Sequence, residues 1–226
     1  MRSRFALSLI MLLAAGAAMA QDVSTDKGKL SYAIGWDFGQ DIKRRGDEFD
    51  VESVVAAIRD TVAGKDSQVS SEDMVALLQE FQQKVRQEQV EALKKLAAEN
   101  QAKSEKFLEE NRTKTGIVVM PSGVQYRVIE EGTGPRPTME STVKVHYRGS
   151  KMDGHEFDSS FARGVPEEFV VNSVLAGWQE VLPLMKQGST WQVFVPPELA
   201  FGQRGNPPVG PNEALMFDLR LVEVVQ

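Results

Sequence analysis

The sequence predicts an α+β protein. An all-helical amino-terminal region and a long connecting helix precede an antiparallel sheet wrapped around one short helix. Three observations predict this. All ten prolines lie at Pro121 or later, and a long proline-free stretch followed by a proline-rich one marks helices joined to strands and turns. Apolar residues recur at about four-residue spacing early in the chain and at two-residue spacing after Ser122. Between Ser71 and about Asn111 no residue pattern stops a helix.

The first twenty residues stand apart from the fold. Arg2 and Arg4 start them, Phe5 to Ala15 is apolar, and Ala18-Met19-Ala20 supplies small residues at the spacing of a cleavage site. Residues 1–20 are therefore predicted to be a secretory signal peptide cut after Ala20. The apolar run is too short to span a bilayer, so stable membrane insertion is not expected. The chain has 226 residues, with 26 basic and 32 acidic side chains and a net charge of −6, which losing Arg2 and Arg4 deepens to −8. Such an acidic, mixed surface argues against nucleic acid as a partner. Cysteine is absent, which excludes thiol catalysis, disulfides and a lipid-modified amino terminus.

Residues 21–70 read as a helical domain. Asp26 is expected to cap a helix that runs to about Arg45 and carries Leu30, Ile34, Phe38 and Ile42 on one face. Asp50 caps a second helix bearing Val51, Val54, Val55 and Ile58, and Gly64 ends it. Ser70 or Ser71 caps a third, in which Met74, Leu77, Leu78, Phe81 and Val85 share a face. This helix forms the connecting rod of residues 71–112, about 60 Å long at 1.5 Å per residue. Beyond Val85 it turns polar nearly all round, as solvent-bridging helices do. The short helices are too small for a comfortable core. Their apolar faces, with Tyr32, Trp36 and Phe38, are expected to bury against a second copy of the chain. The alternative is a monomeric cap folded onto the rest.

After a connector at residues 113–122 the period becomes two. Val124, Tyr126 and Val128 predict one strand, and Val143, Val145 and Tyr147 another. Val193 with Val195, and Leu215 to Leu221, predict two more. Val174 to Met185 reads as the single short helix, closed by Gly188. Residues 123–226 thus make one α+β domain.

Ordinary catalytic apparatus is missing from the sequence. His146 and His155 make no metal-ligand spacing, and no metal or cofactor is expected. There is no Gly-x-Ser-x-Gly elbow, and Gly132-Thr133-Gly134 leads into Pro135 rather than a phosphate-binding helix. Aromatic residues stand out instead, in loops as well as strands. Trp191 and Phe194 read as plain core. The remainder suit a concave apolar site with one or two polar groups.

Five ordered segments then carry a family resemblance over about 105 residues: Val145-His146-Tyr147-Arg148-Gly149, Asp153 to Ser160 (DGHEFDSS), Val174-Leu175-Ala176-Gly177-Trp178, Pro197 to Gly202 (PELAFG), and Ala214 to Val224. Together they resemble an FKBP-type peptidyl-prolyl cis-trans isomerase domain. The helical region, rod and export signal further resemble the macrophage infectivity potentiator (Mip) subfamily. That resemblance implies a V-shaped homodimer joined through the amino-terminal helices, with unfolded or proline-containing proteins as clients and macrolides such as rapamycin as inhibitors. The location it implies is the periplasm, the outer membrane or the outside of the cell. By the same resemblance, catalysis would rest on Asp158, Tyr147 and Phe217. Phe157, Phe169, Val174, Leu175, Phe201 and Val209 would contact substrate above a floor formed by Trp178. Asp158 would be the buried polar group, steering a carbonyl or holding Tyr147, and the Leu175 N–H would hold a substrate carbonyl. Phe201 stands where the family usually has tyrosine, so one ligand hydrogen bond is lost. This is the hint for the competing reading, a holdase or adhesion-type binding protein with a vestigial pocket.

Overall fold

The computed structural model describes residues 23–225, so the expected leader lies outside the described residues. The chain divides into two compact units between Ala76 and Leu77, inside the long helix.

The first unit is helical, as its spacing predicts. Helix α1 runs Asp26–Arg44, and its cap is Thr25 rather than Asp26: the threonine hydroxyl accepts from the Gly28 N–H at 3.0 Å. Asp26 occupies the first turn instead, where a negative charge meets the helix dipole. Helix α2, Val51–Val62, is capped by Asp50, which accepts from the Ser53 N–H at 3.2 Å. The Ser70 hydroxyl accepts from the Asp73 N–H at 3.0 Å and opens helix α3, Ser71–Asn111, 41 residues without a break. No residue of α1 or α2 is buried. Trp36 is 59% exposed and stacks on Tyr32 one turn away.

The second unit is built on a seven-stranded antiparallel sheet. Its strands are β1 (Val118–Val119), β2 (Gln125–Glu130), β3 (Thr142–Lys151), β4 (Glu156–Ser159), β5 (Glu167–Val170), β6 (Thr190–Val195) and β7 (Leu215–Val225). They lie in the order β1-β2-β6-β7-β3-β4, with β5 also paired to β3. β3 pairs with β7 along its whole length, while its other edge is shared. Residues Thr142 to Val145 take β5, and Arg148 to Ser150 take β4. Beyond the four strands expected from the sequence there are thus three short ones.

A one-turn helix α4, Ser160–Arg163, follows β4, and α5 occupies Ala176–Val181. The helix predicted from Val174 to Met185 is therefore shorter. Leu175 is its extended N-cap, and Pro183 lies in a separate 3-10 turn, Leu182–Leu184, that takes over from the α-helix. One face of the sheet supplies Val143, Val145, Val195, Leu215, Leu219 and Leu221, and α5 with its turn supplies Val181, Leu182 and Met185, all fully buried. Each such side chain contributes about 1.5–3 kcal/mol. The helix sits so close that a Cβ on Gly177 would lie 2.4 Å from a Val195 methyl.

Candidate active site

Strand alternation sends Tyr147 of β3 and Phe217 of β7 to the face that α5 covers, and α5 sets Trp178 between them. The indole is 3% exposed, and three rings meet it edge-on: Tyr147 at 5.3 Å, Phe217 at 5.1 Å and Phe169 at 6.1 Å. These are the favoured edge-to-face geometries of aromatic quadrupoles. Trp178 Nε1 is buried without a hydrogen-bond acceptor among the described residues. Phe157 of β4 stands edge-on to Phe217 at 6.0 Å and to Phe201 at 6.4 Å.

Position 149 explains how those rings fit. Gly149 lies between Asp158 of β4 and Phe217 of β7 in register. A Cβ there would stand 2.7 Å from the Phe157 ring and 2.9 Å from the Phe217 ring. Only glycine lets both rings lie over the strand.

Phe157, Phe169, Val174, Leu175 and Phe201 are half-buried around the floor, and Val209 is 3% exposed within the same apolar cluster. The structure therefore brings together all ten residues expected from the sequence. Gln179 holds the segment before α5 by donating from Nε2 to the Val174 carbonyl at 2.8 Å. The Leu175 carbonyl accepts from the Trp178 and Gln179 N–H groups. The Leu175 N–H itself donates to nothing among the described residues.

Asp158 differs from expectation, since it is not buried: its side chain is 42% exposed at the rim. One of its oxygens accepts from the Tyr147 hydroxyl at 2.6 Å, and the other accepts from Arg163 at 2.5 Å. Arg163 also donates to the Tyr147 oxygen at 2.9 Å and pairs with Glu167. Desolvation alone would raise the Asp158 pKa, but the hydrogen bonds from Tyr147 and Arg163 and the guanidinium charge outweigh it and hold the carboxyl below its usual range. The Tyr147 hydroxyl is pushed well above an ordinary phenol by burial and by its bond to Asp158. Both groups thus hold their ordinary neutral-pH charge states.

Arg163 and Glu167 escaped the sequence reading. The missed signal is local: Ser159 caps α4 through the Ala162 N–H, and Gly164, at φ +78°, ends it one turn later. That single turn carries Arg163 back over Asp158. His146 is structural, stacked on Phe161 with Nδ1 3.1 Å from the Ser160 hydroxyl. Trp191 and Phe194 are buried, the former stacked on Tyr126 at 4.4 Å.

A buried indole boxed by rings and rimmed by a Tyr–Asp–Arg cluster, on a sheet crossed by one short helix, defines an FKBP-type domain. Residues 134–222 match the FKBP-type peptidyl-prolyl cis-trans isomerase family, and residues 27–128 match the domain amino-terminal to such isomerases. The chain belongs to this family and is a peptidyl-prolyl cis-trans isomerase. It is 41% identical to the outer membrane protein MIP of Legionella longbeachae, over 99% of this chain and 98% of that protein. It is 38% identical to the peptidyl-prolyl cis-trans isomerase Mip of Coxiella burnetii, over 96% and 95% of the two chains. The crystal structure of FkpA from Escherichia coli is similar with a TM-score of 0.72 and 34% identity, covering 89% of this chain and 97% of that one.

Proposed function

We propose that the chain acts as an exported homodimer that speeds prolyl isomerisation in folding proteins and holds unfolded clients while it does so. The observation that carries this reading is Trp178, the floor of a dry aromatic site whose walls come from β3, β4, β5 and β7.

The reaction needs little else. A planar X–Pro amide is held by resonance with a barrier of about 18–20 kcal/mol. The planar state is the more dipolar one, so water favours it over the twisted transition state. Placing the bond against Trp178, Phe217 and Phe169 removes that preference, and walls shaped for the twisted form bind it selectively. The Leu175 N–H, without an acceptor among the described residues, supports a role in taking a substrate carbonyl. Asp158 spends its two oxygens on Tyr147 and Arg163, which supports a role in fixing the Tyr147 wall. Phe201 offers no hydroxyl, which weakens ligand binding by about 0.5–1.5 kcal/mol while keeping the apolar contact. A macrolide such as rapamycin would compete for the same rings.

Dimerisation is supported by α1 and α2. These helices of nineteen and twelve residues have no buried residue, although most helical stability in proteins comes from packing an apolar face. Tyr32, Gly35, Trp36 and Gly39 form an exposed stripe along α1, the face that a second copy would cover. Export is supported by the leader, and an outer-membrane location by the name of the Legionella relative. Among the described residues no helix is long and apolar enough to cross a membrane.

Proline-limited refolding tests the reading. The wild type should accelerate a phase that otherwise takes tens to hundreds of seconds, and Phe217→Ala should lose most of that acceleration. A wild type no faster than the spontaneous rate refutes it. Trp36→Glu should convert a dimer into a monomer by light scattering, and a dimer that survives it removes the α1 interface.

A further inference from the structure

The wall that carries Val209 belongs to a flap, residues 203–212, held from outside the sheet. Its base lies against the last turns of α3. Asn100, 5% exposed, donates from Nδ2 to the Pro211 carbonyl at 2.9 Å. Ser104, fully buried, donates its hydroxyl proton to the Asn212 carbonyl at 2.8 Å and accepts from the Ala214 N–H at 2.8 Å. Asn212 answers by donating from Nδ2 to the Ala97 carbonyl at 3.3 Å. Its backbone sits at φ +53°, a left-handed conformation in which its N–H reaches the Gly202 carbonyl at 2.9 Å.

The helix end is itself anchored to the sheet. Asn111 donates to the Gln125 side chain at 2.9 Å, and Gln125 donates to the Leu108 carbonyl at 2.8 Å. Phe107 packs on Phe194. A contact meant only to bury surface is made more cheaply by apolar side chains, because buried polar groups lose their hydration. Asn100 and Ser104 instead satisfy backbone groups of the flap base, which fixes its place against the helix. The flap is also tied to itself. Asn206 and Val209 exchange backbone hydrogen bonds at 3.0 and 2.8 Å. Gly205 lies so near Gly210 that a Cβ would stand 2.6 Å from the Gly210 carbonyl carbon.

We propose that Asn100 and Ser104 of the connecting helix are positioning residues of the isomerase site, setting the flap and, through Val209, one wall of the pocket. The inference rests on reading the Trp178 site as the active site. It makes residues 97–111 part of the catalytic unit.

The test uses full-length protein and two readouts. In Ser104→Ala, amide hydrogen exchange across residues 205–214 should quicken about tenfold while β3 and β6 amides keep wild-type rates, since a buried bond is lost locally. Tetrapeptide kcat/KM should fall roughly three- to tenfold, with Asn100→Ala acting in the same direction. In a Val209→Ala background the Ser104→Ala loss should vanish, because the wall it positions is gone. Unchanged flap exchange, quickening spread evenly over the sheet, or an undiminished kinetic loss beside Val209→Ala overturns the proposal. A wild type without catalysis would remove the active-site reading, while flap exchange still decides whether Asn100 and Ser104 place the flap.

Discussion

Tyr147→Phe, Asp158→Ala and the double variant together decide what the rim carboxylate does. The 2.6 Å bond between the Tyr147 hydroxyl and Asp158 is charge-assisted, a kind worth about 1.5–3 kcal/mol when buried. Asp158 is 42% exposed and keeps Arg163 when the hydroxyl is removed, so the loss shrinks to about 1 kcal/mol. Asp158→Ala removes the same bond, and Arg163 keeps Glu167, so no charge is stranded. A loss of about 1 kcal/mol is roughly fivefold in kcat/KM. If Asp158 acts by holding the tyrosine wall, each single variant loses about fivefold and the double loses no more, a coupling near 1 kcal/mol. The assay is a protease-coupled tetrapeptide isomerisation at low substrate, which reports kcat/KM directly. A double variant that falls by the product of the two single losses, about 25-fold, would mean that Asp158 touches the substrate on its own account and would refute the positioning argument.

Gly149→Ala should displace the Phe157 and Phe217 rings, which stand 2.7 and 2.9 Å from the added carbon. Overpacking of this kind costs about 1–3 kcal/mol, and loss of activity without a lower denaturation midpoint would show that the rings simply moved aside. The low Asp158 pKa also makes a pH prediction. The folded carboxyl ionises at lower pH than the unfolded one, so unfolding takes up a proton. Its stabilisation is complete above the unfolded value, about pH 4, and is lost as pH falls through the folded pKa. The urea-midpoint difference between wild type and Asp158→Asn should therefore be flat at neutral pH and shrink in acid; a gap that widens in acid reverses the sign.

How much of this was legible depended on the range of the interactions. Strands β2, β3, β6 and β7 follow from two-residue alternation, and α2 from Asp50 and Gly64. Strands β4 and β5 are four residues each, too short for a period, and exist because they share the edge of β3. The pair Glu167-Glu168 even argues against a strand locally. Tyr147, Phe157, Trp178, Phe201 and Phe217 were legible because they lie in five motifs that occur in order, whereas Phe169 lies outside those motifs and followed only from the family resemblance. Arg163 was not, because its importance comes from a one-turn helix folding it back onto Asp158. Asn100 and Ser104 were hidden for the opposite reason. On a helix polar nearly all round they look like solvated residues, and only the fold shows that they are buried.

These two kinds of residue divide the site's work. Tyr147, Phe217 and Phe169 stand on strands paired on at least one side, and Trp178 on a helix pressed against β6, so the part proposed to meet the twisting amide is held by the sheet. The flap is the exception. Its tip pairs only with itself, its base is tied to α3, and it carries Val209 into the same cluster as the rings. Substitutions in the sheet should therefore change the rate for every substrate alike. Substitutions at Asn100, Ser104 or the flap should change which residue before proline is preferred, because they move one wall and leave the floor in place. A set of tetrapeptides differing only at that residue separates the two. If Phe169→Leu reorders the preferences as strongly as Ser104→Ala, the division fails, and the flap is only one more part of a uniformly rigid pocket.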